Sequence, residues 1–133
     1  MALIVVVDDD ISIRNILREA LVLSGHTVLE AADGDACIRH LKTAHPNAVI
    51  TDIFMPEKDG IETICEIHER WPDIKIIAMS SGGSRPEAMD YLRAAEGLGA
   101  DRILHKPFSL KQVIEVVNDL LTTEKQLEQT VPV

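Results

Sequence analysis

Five short apolar runs alternate along the chain with five longer amphipathic ones. That rhythm predicts five β-α units. The strand-like runs are residues 3–7, 27–31, 48–51, 74–79 and 102–104. Runs 3–7 and 74–79 are almost continuously apolar, which is what strands covered on both faces require, so the pattern predicts a parallel sheet with helices on either side. The longer runs carry the helical period. In the first, Ile13, Ile16, Leu17, Ala20 and Leu21 recur at i, i+3, i+4, i+7 and i+8 and make one apolar face, which ends at Ser24-Gly25.

Two later helix starts are marked by capping residues. Ser84 is followed by Pro86 in the first turn and by Glu87 at capping-box spacing, and Ser109 stands in the same relation to Gln112. Beyond Ser109, Leu110, Val113, Ile114, Val117 and Leu121 form the inner stripe of the last helix. After about Thr123 the stripe fades into Glu124-Lys125-Gln126, and Pro132 cannot extend a helix. Residues 1–123 are therefore expected to form one domain, and residues 124–133 a frayed or disordered tail.

Composition narrows the function. At 133 residues the chain can bury one core, so a single domain without a separate catalytic or DNA-binding module is expected. Its 46% hydrophobic and 26% charged residues are those of a globular protein. A net charge of -9, with no basic patch, argues against direct nucleic-acid binding and favours a protein partner or a cation. Since no apolar run reaches the length of a signal core or a membrane span, a cytoplasmic protein without a membrane partner is expected. Cys37 and Cys65 lie far apart, with no pairing to suggest a disulfide.

In open α/β sheets functional groups gather at the carboxyl ends of the strands, where the loops converge. Here those ends are marked by Asp8-Asp9-Asp10, by Asp52, by Ser80-Ser81 and, just past the fifth run, by Lys106-Pro107. Carboxylates packed together repel one another unless a cation offsets their charge. A hard divalent ion such as Mg²⁺, or Mn²⁺, fits an all-oxygen site of this kind. A carboxylate beside such an ion can act as a nucleophile towards phosphorus, and an ammonium and a hydroxyl can then neutralise and position the phosphoryl oxygens.

Four segments sharpen this reading: Val7-Asp8-Asp9; Asp52-Ile53-Phe54-Met55-Pro56 with Asp59-Gly60; Ile77-Ala78-Met79-Ser80; and Lys106-Pro107-Phe108. In order and spacing they resemble the four signatures of the response-regulator receiver family of two-component signalling, over essentially the whole chain to about Thr123. The resemblance implies a doubly wound (βα)5 flavodoxin-like α/β fold with strand order 2-1-3-4-5. It implies that Asp52 is both the phosphoacceptor and one of the metal ligands, that Asp9 is a direct metal ligand, and that Asp8 holds metal-bound water. The carbonyl of Phe54 would complete the protein ligands. Lys106 would contact the acceptor and then the phosphoryl group, Ser80 would move to hydrogen-bond that group, and the Lys106–Pro107 bond would be cis. The implied partners are a histidine kinase or histidine phosphotransfer protein upstream and an unidentified protein downstream.

The chain departs from the common pattern at Ile103, where many receivers carry the aromatic ring that turns inward on activation. Two other readings compete with signalling. A phosphorelay shuttle would use the same residues. An aspartate-nucleophile phosphatase of the haloacid dehalogenase type would need an acid two residues after the nucleophile, and Phe54 stands there instead, so turnover as an enzyme is not expected. Cys37 with His40 and Cys65 with His68 repeat a Cys-x-x-His spacing that suits zinc. Helical periodicity puts Cys37 on the core face, where a free cysteine behaves as a small hydrophobe, and Trp71 is expected on a loop with no assigned role.

Overall fold

The computed structural model describes residues 2–53, 60–80, 93 and 97–130, with residues 123–130 described by their backbone alone. β1 (Leu3–Val7), β2 (Thr27–Ala31), β3 (Ala48–Asp52), β4 (Lys75–Ser80) and β5 (Arg102–His105) form one parallel sheet in the order β2-β1-β3-β4-β5. Among the described residues the helices are α1 (Ile11–Leu23), α2 (Gly34–Ala44), α3 (Gly60–Arg70) and α4 (Leu110–Thr130). The doubly wound α/β architecture and its strand order agree with expectation. The expected helix start at Ser84, with Pro86 and Glu87, lies outside the described residues, as do Phe54, Ser81 and the Gly82-Gly83 pair.

Alternating strand residues feed two cores. Val5, Val7, Val49, Ile76 and Ala78 pack with Cys37, Ile38 and Leu41 of α2 and Ile64 and Ile67 of α3. Ile4, Val6, Ile50, Ile77 and Met79 pack on the other face with Leu17, Ala20 and Leu21 of α1 and Val113, Val117 and Leu120 of α4. Burial on both faces explains why β1 and β4 read as continuous apolar runs. Ile103 is partly buried against the first of these cores, with Trp71 and Ala100. Trp71 also carries the guanidinium of Arg70 4.5 Å above its ring.

The helix ends follow local chemistry. Asp10 caps α1, its side chain accepting from the Ser12 N–H at 2.8 Å. At the other end Gly25, at φ 90°, donates to the Val22 carbonyl while His26 donates to that of Leu21, the paired bonds of a Schellman ending. Ser109 and Gln112 form the expected capping box, with bonds of 2.8 and 3.1 Å. One boundary differs from expectation: the backbone of α4 continues past Thr123 to Thr130, where a frayed tail was expected. Glu124, Lys125, Gln126 and Leu127 are all good helix formers, so intrinsic propensity carries the helix on where the apolar stripe has ended.

The amino edge of the sheet is bracketed by polar residues. Asn47 accepts from the Leu3 N–H through its side chain at 2.9 Å, donates its own N–H to the Leu3 carbonyl and accepts from Lys75, so it ties β1 to β4 across the start of β3. His26 Nδ1 accepts from the Ala2 N–H at 3.1 Å, a bond only the neutral ring can make. Burial is the main reason that the His26 pKa lies below the usual histidine value of 6.5. The unfolded chain therefore takes up this proton at higher pH than the folded one, so stability is full above 6.5 and declines as pH falls through that value. The gap in urea midpoint between wild type and His26→Asn, followed from about pH 7.5 to about pH 5, is expected to narrow as the medium becomes acidic. A gap that is constant over this range would remove the histidine from the pH dependence.

Candidate phosphoryl-transfer site

The carboxyl edge of the sheet brings together side chains far apart in sequence. β1 runs straight into Asp8, whose N–H continues the ladder by donating to the Ala31 carbonyl of β2 at 3.1 Å. β3 ends at Asp52, and Ile53 remains pinned to β4 through the Met79 carbonyl at 3.1 Å. Past β5, the Lys106 N–H donates to the Ser80 carbonyl at 2.7 Å, and the Lys106–Pro107 bond is cis. Asp8, Asp52 and Ser80 are 0%, 4% and 1% exposed, whereas Asp9 stands exposed at the mouth. Buried polar groups of this kind are tolerated only where they are bonded.

Lys106 provides much of that bonding. Its ammonium lies 2.7 Å from Asp8 Oδ2 and 3.1 Å from Asp52 Oδ2, so one cation is shared by acids from two strands. Burial by itself would lower the lysine pKa. The hydrogen bond and charge of Asp8, with the charge and hydrogen bond of Asp52, outweigh it and raise the pKa above the ordinary lysine value. Asp8 also accepts the Asp10 N–H on Oδ1 at 2.9 Å. Both of its oxygens are thus engaged inside the protein.

Asp8, Asp9 and Asp52 each offer a carboxylate oxygen, and the three oxygens lie within 4.8 Å of one another. Three carboxylates and one ammonium leave two negative charges, which a divalent ion balances. The donor set, all oxygen and strongly anionic, suits Mg²⁺ or Mn²⁺ rather than a softer metal. Among the described residues this is the one cluster of metal-ligating type. The Cys-x-x-His pairs do not join it: Cys37 is fully buried in the core, and His40 Nε2 is bonded to the Glu30 carbonyl at 2.8 Å.

Of the residues singled out in the sequence, Asp8, Asp52 and Lys106 are in direct contact, Asp9 completes the acid cluster, and Ser80 is fixed beside them through the Lys106 main chain. Phe54 lies outside the described residues. Two contacts at the site go beyond the sequence pattern, in which Gly60 stands only as part of the Asp59-Gly60 signature and Arg14 not at all. Gly60 opens α3 with its N–H on the Ile53 carbonyl at 3.2 Å, and a Cβ there would strike the Asp52 and Ile53 backbone. Arg14 reaches the Asp8 carbonyl. Its signal was a cation in the first turn of a helix, where the dipole favours acids.

Comparison with known proteins agrees with this geometry. The model of the response regulator receiver domain matches residues 4–118. The chain is 39% identical over 118 residues to a probable transcriptional regulator, ycf27, of Cyanophora paradoxa, covering 89% of this chain and 47% of that one. It is 36% identical over 122 residues to the DNA-binding transcriptional regulator NtrC of Azospirillum brasilense, covering 92% and 24%. The crystal structure of the receiver domain of NtrX from Brucella abortus superposes with a TM-score of 0.83 at 28% identity, covering 90% of this chain and 98% of that one.

The chain spans less than half the length of those two curated relatives. One of them is named as DNA-binding, which corrects the expectation that nucleic acid has no place among the partners. The net charge of -9 bears only on direct contact by this segment's own surface, and relatives that share the segment are transcriptional regulators all the same. No helix among the described residues is long and apolar enough to cross a membrane. With the sheet order, the acid cluster and a family match over residues 4–118 in agreement, the chain belongs to the response regulator receiver domain family, whose members are phosphoacceptors rather than conventional enzymes.

Proposed function

We propose that this chain accepts a phosphoryl group on Asp52 from a phosphorylated histidine of a sensor kinase or phosphotransfer protein, and passes its state to a protein partner by a change of conformation. The observation that supports this most is the sharing of one buried ammonium, that of Lys106, between Asp8 and Asp52 beside a third acid, Asp9. A carboxylate oxygen of Asp52 forms a bond to phosphorus while the bond from phosphorus to the donor imidazole breaks. The electron pair leaves with the imidazole nitrogen, which takes up a proton. Asp8, Asp9 and Asp52, with the Phe54 carbonyl, would hold Mg²⁺, which when bound neutralises the acids and the incoming phosphoryl oxygens. Lys106 keeps its ammonium at the acceptor, and Ser80 supplies a hydroxyl to the transferred group.

Loss of the phosphoryl group to water by the same residues would make the chain its own slow phosphatase. The proposal is tested with acetyl phosphate and Mg²⁺ by intact-mass analysis: one phosphoryl group per chain is expected, labile to hydroxylamine and absent when EDTA is present. Incorporation that resists hydroxylamine or proceeds in EDTA would rule out a metal-assisted aspartyl phosphate.

A further inference from the structure

The acidic turn after β1 is tied to the rest of the fold through Arg14, which has no part in the chemistry above. Arg14 lies in the first turn of α1 with its side chain 15% exposed. It donates from Nη1 to the Asp8 carbonyl at 2.7 Å and from Nε to Glu30 Oε1 on β2 at 3.3 Å. Glu30 takes Arg18 Nη1 on its other oxygen at 3.0 Å, and its main-chain carbonyl meets His40 Nε2 at 2.8 Å. A cation near a helix N-terminus runs against the helix dipole, so α1 gains nothing from Arg14 by itself. The planar fork of the guanidinium is what allows one side chain to span a carbonyl and a carboxylate.

We propose that Arg14, steadied by Glu30, is a positioning residue that fixes the peptide between Asp8 and Asp9 so that both carboxylates face the divalent-cation site; this rests on the metal site of the preceding reading. The Asp8 N–H is held by Ala31 and its carbonyl by Arg14, so the peptide before Asp8 is fixed by the sheet and the one that leads into Asp9 by Arg14. Asp9 is exposed, so its direction depends on that main chain. Partners that orient ligands in this way are commonly worth an order of magnitude or more in metal affinity.

Charge and positioning predict opposite signs. Removing a cation beside an anionic site should tighten divalent-ion binding if charge alone acts, whereas losing the clamp should weaken it. Calorimetric titration of the full chain with Mg²⁺ is expected to show about tenfold weaker binding for Arg14→Ala, a smaller loss for Glu30→Gln and partial recovery for Arg14→Lys, because an ammonium cannot span both acceptors in one plane. Asp9→Ala serves as the control. Wild-type or tighter binding in Arg14→Ala, with binding lost in Asp9→Ala, overturns the inference and leaves the metal site standing. Undiminished binding in Asp9→Ala overturns the site itself. Should Arg14→Ala not fold, Arg14→Lys decides, with weaker binding supporting the clamp and unchanged binding removing it.

Discussion

Asp52→Asn is expected to abolish phosphoryl incorporation from acetyl phosphate while leaving the protein folded. An amide nitrogen gives its lone pair to the neighbouring carbonyl, and the amide oxygen carries no full charge, so neither can replace the carboxylate as a nucleophile. The loss should exceed what removal of any single assisting group causes, because the bond-forming atom itself is gone. Structure should survive for a reason visible at the site: Lys106 keeps Asp8 at 2.7 Å, and the crowded acids lose one charge. Intact-mass analysis gives the incorporation, and circular dichroism gives the melting temperature. Undiminished labelling in Asp52→Asn would move the acceptor to another side chain.

The second large effect is expected at a residue with no functional group at all. Gly60 is buried where α3 begins, and a Cβ on it would overlap the main chain of Asp52 and Ile53, which cannot move aside as a flexible side chain can. Overpacking against yielding neighbours costs about 1–3 kcal/mol, and a clash with the backbone of a central strand should reach or pass the upper end. Gly60→Ala is therefore expected to lose about 3 kcal/mol or more in urea denaturation and most of its phosphoryl incorporation. Gly97→Ala is the matched control, since a Cβ there meets nothing within 4 Å; it should be neutral or slightly stabilising. Equal stability of the two variants would mean that α3 can withdraw from the acceptor strand without cost.

Much of this could be read from the sequence because the signals are local. Continuous apolar runs marked β1 and β4, Ser24-Gly25 marked the end of α1, and Ser109 with Gln112 marked the start of α4. The acids and the lysine announced themselves at strand ends. What stayed hidden depends on approach between distant segments. Nothing around Gly60 says that its absent side chain faces the backbone of β3, and nothing joins Arg14 to Glu30 until β2 lies beside β1. Asn47 and Asp101 are similar cases: each looks like a turn residue, yet each accepts a main-chain N–H from a strand it does not precede, Leu3 and Ile76 respectively. The continuation of α4 past Thr123 has a different basis, because an apolar stripe reports packing whereas a run of good helix formers can continue a helix by propensity alone.

The division of each strand between two cores makes spacing matter more than identity. Val49 and Ile50 serve opposite covers, and Asp52 follows them in phase. Exchanging one aliphatic residue for another leaves that phase intact, but inserting or deleting a single residue within β3 would send every later side chain to the wrong layer and turn the acceptor away from Lys106. The same holds for β1 and Asp8. The protein therefore has a reading frame in three dimensions: an insertion between strands leaves it intact, whereas one inside a strand breaks it.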